Sequence, residues 1–205
     1  MVLRATQQRS GVRALTTILR LHSAIANLVD CVTGKREDDG LNETPERAAK
    51  AWQFWCSGEH EDPAECLKTF DMAGWDYDEI VLVKDIPLYS HCEHHLAPII
   101  GRATVGYIPN ERIVGLSKIS RVVNGFARRL QVQERLTSQI AHCINDALQP
   151  RGVAVQVRAR HLCMESRGIC QQGHHTVTQK LLGVFHNEPE ARAEFISLAK
   201  SDALL

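Results

Sequence analysis

Apolar residues recur every three or four positions early in the chain and every second position through much of its later part. Leu15, Ile18, Leu21, Ile25, Leu28, Val29 and Val32 keep the helical interval, so an amphipathic helix opens the chain. "GKREDDGLNE" (34–43) is polar and glycine-punctuated, as a loop requires. "TPERAAKAWQFWCSG" (44–58) predicts a second helix, with Thr44 as its cap, Pro45 at the first helical position and Gly58 at its end. "SGEHEDPAE" and "DMAGWDYDE" have the composition of loops.

The character changes near residue 80. "EIVLVKDIPLYS" (79–90) and "IIGRATVGYIP" (99–109) are rich in β-formers and predict two strands. Leu116, Ile119, Val122, Val123, Phe126 and Leu130 return to the helical interval, and "QERLTSQIAHCINDALQP" predicts another helix, stopped by Pro150. In "GVAVQVRARHLC", Val153, Val155, Val157, Ala159, His161 and Cys163 alternate onto one face of a strand. "HHTVTQKLLGVF" predicts a last strand, and a short helix capped by Asn187, with Glu190 three positions on, closes the chain. The order is helices, then β-β-α-α-β-β, then a helix. That is an α+β arrangement around a mainly antiparallel sheet, with a helical region over 1–78 and the main domain over 79–205.

Composition narrows the possibilities. The chain has 205 residues, 44% hydrophobic and 23% charged, with 24 basic and 24 acidic side chains. Zero formal charge argues against a protein devoted to nucleic acid, although a local basic pocket fits inside a neutral total. No apolar run approaches the roughly 18 residues of a membrane span. The basic N-terminus raises the question of a signal peptide, but Arg20, His22 and Asn27 interrupt the apolar stretch and no clean cleavage site comes after it. A cytoplasmic protein without a membrane partner is expected. Seven cysteines without regular spacing point to reduced thiols, with Cys31, Cys56, Cys66 and Cys143 as small buried hydrophobes.

The chemistry concentrates in "YSHCEHHLAPIIG" (89–101), where Cys92 and three of the chain's 10 histidines fall within five positions. Cys92 and His95 lie three apart, so one turn can direct both at a metal ion. Thiolate and imidazole suit zinc, which takes four ligands, and "RHLCM" offers Cys163 from elsewhere. Three protein ligands and an open fourth position make the catalytic arrangement, in which zinc lowers the pKa of bound water to about 7. His161, two positions before Cys163 and roughly 7 Å from it along a strand, can stand beside the metal. His91, His94 and His95 cannot all be ligands in one regular turn, and a second imidazole beside such a water is a natural proton carrier.

Other features are weaker alone. "GLSKISRVV" sets Ser117, Lys118 and Arg121 at a helix start, a plausible phosphate cradle if it is not simply a solvated surface. Gln133 and Glu134 could hydrogen-bond the donor edge of a guanine, although a carboxylate beside an arginine on a helix is usually a surface ion pair. Arg167 lies four positions beyond Cys163 and could sit at the mouth of the same pocket.

Together, "LYSHCEHHLAPIIGRATVGYIP", "GLSKISRVV", "RLQVQERLTSQI", "HLCMESRG" and "TVTQKLLGVF" resemble GTP cyclohydrolase I, and "GLNETPERAAKAW" resembles that family's helix before the core. The resemblance covers roughly residues 40 to 198. It implies the tunnelling fold, a β-β-α-α-β-β unit. By position, Cys92, His95 and Cys163 become zinc ligands and His94 and His161 acid/base residues. Gln133 and Glu134 become the guanine site. Ser117, Lys118, Arg121 and Arg167 become the triphosphate site, with Arg47 and Lys50 as further candidates.

The implied reaction opens the imidazole ring of GTP at C8, releases formate and closes 7,8-dihydroneopterin triphosphate, a first step toward pterins, folates or deazaguanines. The implied assembly is a homodecamer with active sites shared between subunits. A relative acting on another pterin or deazaguanine precursor, or a catalytically silent regulatory subunit, are the alternatives; retention of both cysteines, Gln133-Glu134 and His161 argues against them. His91 and the segment "ESRGICQQGHH", with Glu165, Cys170, His174 and His175, depart from the family pattern. An added carboxylate there could weaken phosphate binding, and Cys170 could compete for metal.

Overall fold

The computed structural model describes the backbone of residues 2–34 and 39–200, with side chains from residue 16 onward. The chain divides into two compact units, Met1–Cys56 and Ser57–Leu205.

The first unit is a pair of helices, α1 (Val2–Thr33) and α2 (Thr44–Trp55). The expected apolar stripe of α1 is only partly covered, since Ile18, Leu21 and Ile25 are half-buried while Leu28 and Val32 are exposed; the side chain of Leu15 and residues 35–38 of the intervening loop lie outside the described residues. Thr44 is not the cap of α2. It is the first helical residue, after Glu43, and its hydroxyl donates to the Gly40 carbonyl. Pro45 and Ala49 are the buried positions of α2, while Arg47 and Lys50 pair with Glu43 and Glu46 one turn back.

In the second unit, β1 (Thr69–Asp71) pairs with β4 (Arg112–Val114), which comes after β2 (Val81–Cys92) and β3 (Pro98–Ile108) in the chain. Next come α3 (Leu116–Ala127), the two-residue β5 (Leu130–Gln131), α4 (Gln133–Leu148) and β6 (Gly152–His161). The turn α5 (Leu162–Glu165), β7 (Thr176–Gly183), α6 (Val184–Asn187) and α7 (Pro189–Lys200) complete it. The main elements are β-β-α-α-β-β and then a helix, as the periodicity predicts. Asn187 ends α6 rather than capping α7, and α7 runs for 12 residues.

The main sheet has five strands in the order β5-β2-β3-β6-β7, antiparallel throughout except for β5 against β2. Odd positions of β3 and β6, such as Val105, Tyr107, Val153 and Val155, face one core with Ile119, Val123, Leu136 and Ile140 of α3 and α4. On the other face, Ile108 and Ala154 pack with Phe185 and Phe195, whose rings meet edge to face at 5.7 Å. Between Val83, opposite Val105, and Ile86, opposite Ala103, the β2–β3 ladder carries a bulge at Lys84 and Asp85, where Asp85 takes φ +53°. Gly101 sits where a side chain would run into the Arg158 carbonyl and Ala159 of β6, so only glycine allows β3 and β6 this approach.

Residues 57–66 belong to this unit because they pack on α3. Gly58 donates to the Arg128 carbonyl at 3.0 Å and lies so close to the Gly125 carbonyl that it has no room for a side chain, while a side chain at Gly125 would press on Pro63. Among the described residues, no helix is long and apolar enough to cross a membrane.

Candidate metal centre

Both β2 and β6 run antiparallel to β3, so their C-terminal ends meet on either side of the start of β3. His91 stands opposite Pro98, and His161 opposite Ile99. Cys92 is the last residue of β2. On the other side β6 stops at His161, so Cys163 belongs to the α5 turn and not to the strand that the alternation predicts.

The segment after Cys92 folds back at once. The Cys92 carbonyl accepts from His95 N at 3.4 Å and Leu96 N at 2.8 Å, while Cys92 N donates to the Ala97 carbonyl. Leu96 closes the turn in the left-handed region at φ +54°. This turn holds Nδ1 of His95 3.8 Å and Nδ1 of His94 3.9 Å from Cys92 Sγ. Ligand atoms of Cys92, His95 and Cys163 all lie within 4.8 Å of one another.

The donor set fits a metal ion of the zinc type. Bonds of about 2.0–2.3 Å in a tetrahedron set ligand atoms roughly 3.5 Å apart, a small closure from the observed spacing. The electrostatics agree. Burial, and then the neighbouring Cys92 sulfur, push the Cys163 thiol above its ordinary pKa, because two adjacent thiolates repel without a cation between them. Arg167, although exposed, lies near enough to Cys163 to oppose that shift.

A network not anticipated from the sequence anchors the turn. Glu93 pairs with Arg135, which also donates to Gln131 Oε1 and the Leu130 carbonyl, each at 3.0 Å; Glu93 N donates to the Gln131 carbonyl. The Arg135 guanidinium holds the Glu93 carboxyl below its usual range. The partners lie 42 positions apart, so no local pattern could reveal them.

His161 is half-buried, and that burial lowers its pKa against the pull of the nearby Glu134 carboxylate. Glu134 itself is exposed in the first turn of α4 and free to face a ligand. Gln133 is not. It is 1% exposed, its Nε2 lies 3.1 Å from the Val157 and Thr176 carbonyls and from Thr178 Oγ1, and its Oε1 lies 2.7 Å from His161 Nε2. Both ends of the amide are therefore engaged inside the protein, which separates Gln133 from the guanine role expected with Glu134.

The expected triphosphate residues divide. Ser117, Lys118 and Arg121 occupy the start of α3, where the cap is Gly115 and not Ser117. Their environment is Cys66, whose thiol Lys118 and Arg121 influence and whose sulfur lies 3.8 Å from the Lys118 carbonyl. The opposite end of α3 leads into β5, beside Cys92. A helix of 12 residues is about 18 Å long. The single chain thus sets Lys118 in the turn of α3 far from its own Cys/His cluster and Arg121 at mid-helix.

The departures from the family pattern resolve individually. Glu165 is buried and pairs with Arg160 through both oxygens, so it is a neutralised carboxylate. Cys170 is exposed and outside the metal-ligand group. His174 donates from Nδ1 to the Gln171 carbonyl, and His175 Nδ1 lies 3.5 Å from Arg158. His91 is buried, which keeps its imidazole toward the neutral form. Of the cysteines expected in the core, Cys31 is exposed and Cys56, Cys66 and Cys143 are half-buried; burial pushes the Cys143 thiol up to about 11.

Comparison with known proteins identifies the family. The family profile described as GTP cyclohydrolase I matches residues 21–200. A GTP cyclohydrolase 1 of Nitrosospira multiformis is 56% identical over 162 residues, 79% of this chain and 85% of that protein. A GTP cyclohydrolase 1 of Janthinobacterium sp. is 55% identical over 161 residues, 78% of this chain and 81% of that protein. The GTP cyclohydrolase 1 of Homo sapiens is 45% identical over 183 residues, 88% of this chain and 72% of that protein. With a family match over residues 21–200 and relatives 45–56% identical over most of the chain, this chain belongs to the GTP cyclohydrolase I family.

Proposed function

We propose that the protein is a zinc-dependent GTP cyclohydrolase, converting GTP to formate and 7,8-dihydroneopterin triphosphate. The observation that carries this reading is the convergence of Cys92, His95 and Cys163 beside His161 and Glu134. Cys92, His95 and Cys163 would hold zinc, which when bound supplies a Lewis acid for activating water at an open fourth position.

The chain's own groups do the rest. The Glu134 carboxylate accepts from the N1–H and 2-amino group of guanine, orienting C8 toward the cluster. His94 and His161 carry protons to and from the purine nitrogens as the bonds to C8 break. Arg167 meets the triphosphate from the cluster's own side, and Ser117, Lys118 and Arg121 complete its binding. Remote binding energy at the triphosphate then aligns the reacting ring.

The distance between the α3 cations and the cluster supports a site shared between subunits, as in the homodecamer that the resemblance implies. Two further observations favour assembly. Among the described residues, the β7 edge of the sheet has no neighbour, and most of β2 on the side away from β3 is equally open. Tyr89, Ile100, Leu116 and Val177 are exposed apolar side chains of the same unit. A cytoplasmic setting, expected from the sequence, fits such an enzyme.

The test is an assay of purified, metal-analysed protein with GTP, tracking formate and the fluorescence of the oxidised pterin. About one zinc per chain with both signals is the expected result. Zinc without either product would overturn the assignment of substrate. Analytical ultracentrifugation tests the assembly, and a monomer with full activity would remove the shared site.

A further inference from the structure

We infer that Gln133 is a positioning residue that fixes the tautomer of His161, with the proton on Nε2 and the lone pair on Nδ1. The inference rests on and deepens the proposed reaction, since it names the atom of His161 that exchanges protons there.

The assignment comes from donors and acceptors alone. The Val157 and Thr176 carbonyls can only accept, and both lie 3.1 Å from Gln133 Nε2. The amide nitrogen must therefore face them, and the amide oxygen must face His161. An amide oxygen only accepts, so the 2.7 Å contact with His161 Nε2 requires a hydrogen on that nitrogen.

A second chain of bonds sets the direction independently. Thr137 Oγ1 lies 2.7 Å from the Gln133 carbonyl, which can only accept, so the Thr137 hydroxyl spends its hydrogen there. Thr178 Oγ1, 2.6 Å from Thr137 Oγ1, must then donate to it. With its own hydrogen spent, Thr178 accepts from Gln133 Nε2 at 3.1 Å. The hydroxyl hydrogens of Thr137 and Thr178 and the Nε2 hydrogen of His161 now each have one place, while the two amide hydrogens of Gln133 are shared among three acceptors; turning the amide over would leave acceptors face to face. Gln133 and Thr137 are each 1% exposed, so water does not compete for the hydrogen bonds of those two side chains.

The neutral ring consequently has its one basic atom at Nδ1, which has no protein partner among the described residues. The same amide oxygen accepts from Nε2–H whether or not Nδ1 is protonated. Gln133 thus holds the ring in one orientation through a complete proton exchange, as a carboxamide does and a carboxylate beside two carbonyls would not.

The first test uses the unmodified, zinc-loaded enzyme. Magic-angle-spinning ¹⁵N spectra of histidine-labelled protein, with His161 assigned by subtraction of His161→Asn, should show Nε2 protonated and Nδ1 bare. A protonated Nδ1 with a bare Nε2 overturns the inference, and this readout stands even if GTP is not the substrate. The second test is Gln133→Leu. It should keep its zinc and its KM for GTP within about threefold while kcat falls about 100-fold, and His161 should show mixed tautomers. Thr178→Val, which leaves the Gln133 contact to His161 in place, should keep the wild-type tautomer and most of kcat. Full kcat in Gln133→Leu, or a single unchanged tautomer there, would sink the positioning role.

Discussion

Ile99 of β3 stands directly opposite His161 of β6, and the residue before it, Pro98, stands opposite His91 of β2. One residue step of β3 therefore separates the two strand ends that bring Cys92 and Cys163 together. The cluster depends on three strands in register, not on a single loop. Cys163→Ser should lose most of its zinc while far-UV circular dichroism stays near wild type, because the sheet is held by the core on both faces. Zinc content near one per chain in that variant would take Cys163 out of the ligand set.

Glu134 is exposed beside His161, and nothing in the interior requires its carboxylate. Glu134→Ala should retain zinc but bind GTP about 10–100-fold more weakly, the value of a hydrogen bond to a charged group at about 1.5–3 kcal/mol. Calorimetric titration with a non-hydrolysable GTP analogue gives the comparison. An unchanged affinity would remove the guanine anchor from Glu134.

Gly101 is a point of close approach between β3 and β6, two residues along from Ile99. Gly101→Ala forces the strands apart, since the added methyl meets the main chain of Arg158 and Ala159 and not a side chain that could swing away. The expected cost is about 1–3 kcal/mol, seen as a lower Tm together with weaker zinc retention. A variant as stable as wild type would show that the sheet relaxes there without penalty.

The Arg160–Glu165 pair carries a pH signature. The guanidinium holds the Glu165 carboxyl below its ordinary value of 4.5. Its stabilisation is therefore complete above that value and is lost as pH falls through the lowered one. Glu165→Gln should melt below wild type at neutral pH, and the gap in Tm should close as the pH is taken down below 4.5. A gap that survives at the acid end of the series would mean that Glu165 stabilises by packing and not by charge.

Much of the second unit is legible in the sequence because its signals are local. The period of two in 153–161, the period of three and four in 116–130, and the three-residue spacing of Cys92 and His95 each need only a few neighbouring residues. The hidden features depend on distant partners. Gln133, beside Glu134 at the start of a helix, reads as part of the guanine site, yet its partners come from β6 and β7. Arg135 reads as half of an ion pair with Glu134, whereas its carboxylate is Glu93. Thr44 and Ser117 have cap chemistry but sit one or two residues inside their helices. The expected boundary at residue 78 treats "SGEHEDPAE" as loop, because the packing of Gly58 on Gly125 leaves no periodic trace.

The bulge at Lys84–Asp85 decides which side of the sheet the metal cluster is on. Before it, the odd-numbered Val81 and Val83 face the core beneath α3 and α4, and Leu82 faces the other side. After it, the even-numbered Ile86, Leu88 and Cys92 take that inner face. The extra residue is a half-period phase shift. Deleting Asp85 would keep every ligand in the sequence and the turn after Cys92 intact, but it would rotate the Cys92 thiol through the sheet, leaving Cys163 to face an imidazole of His91.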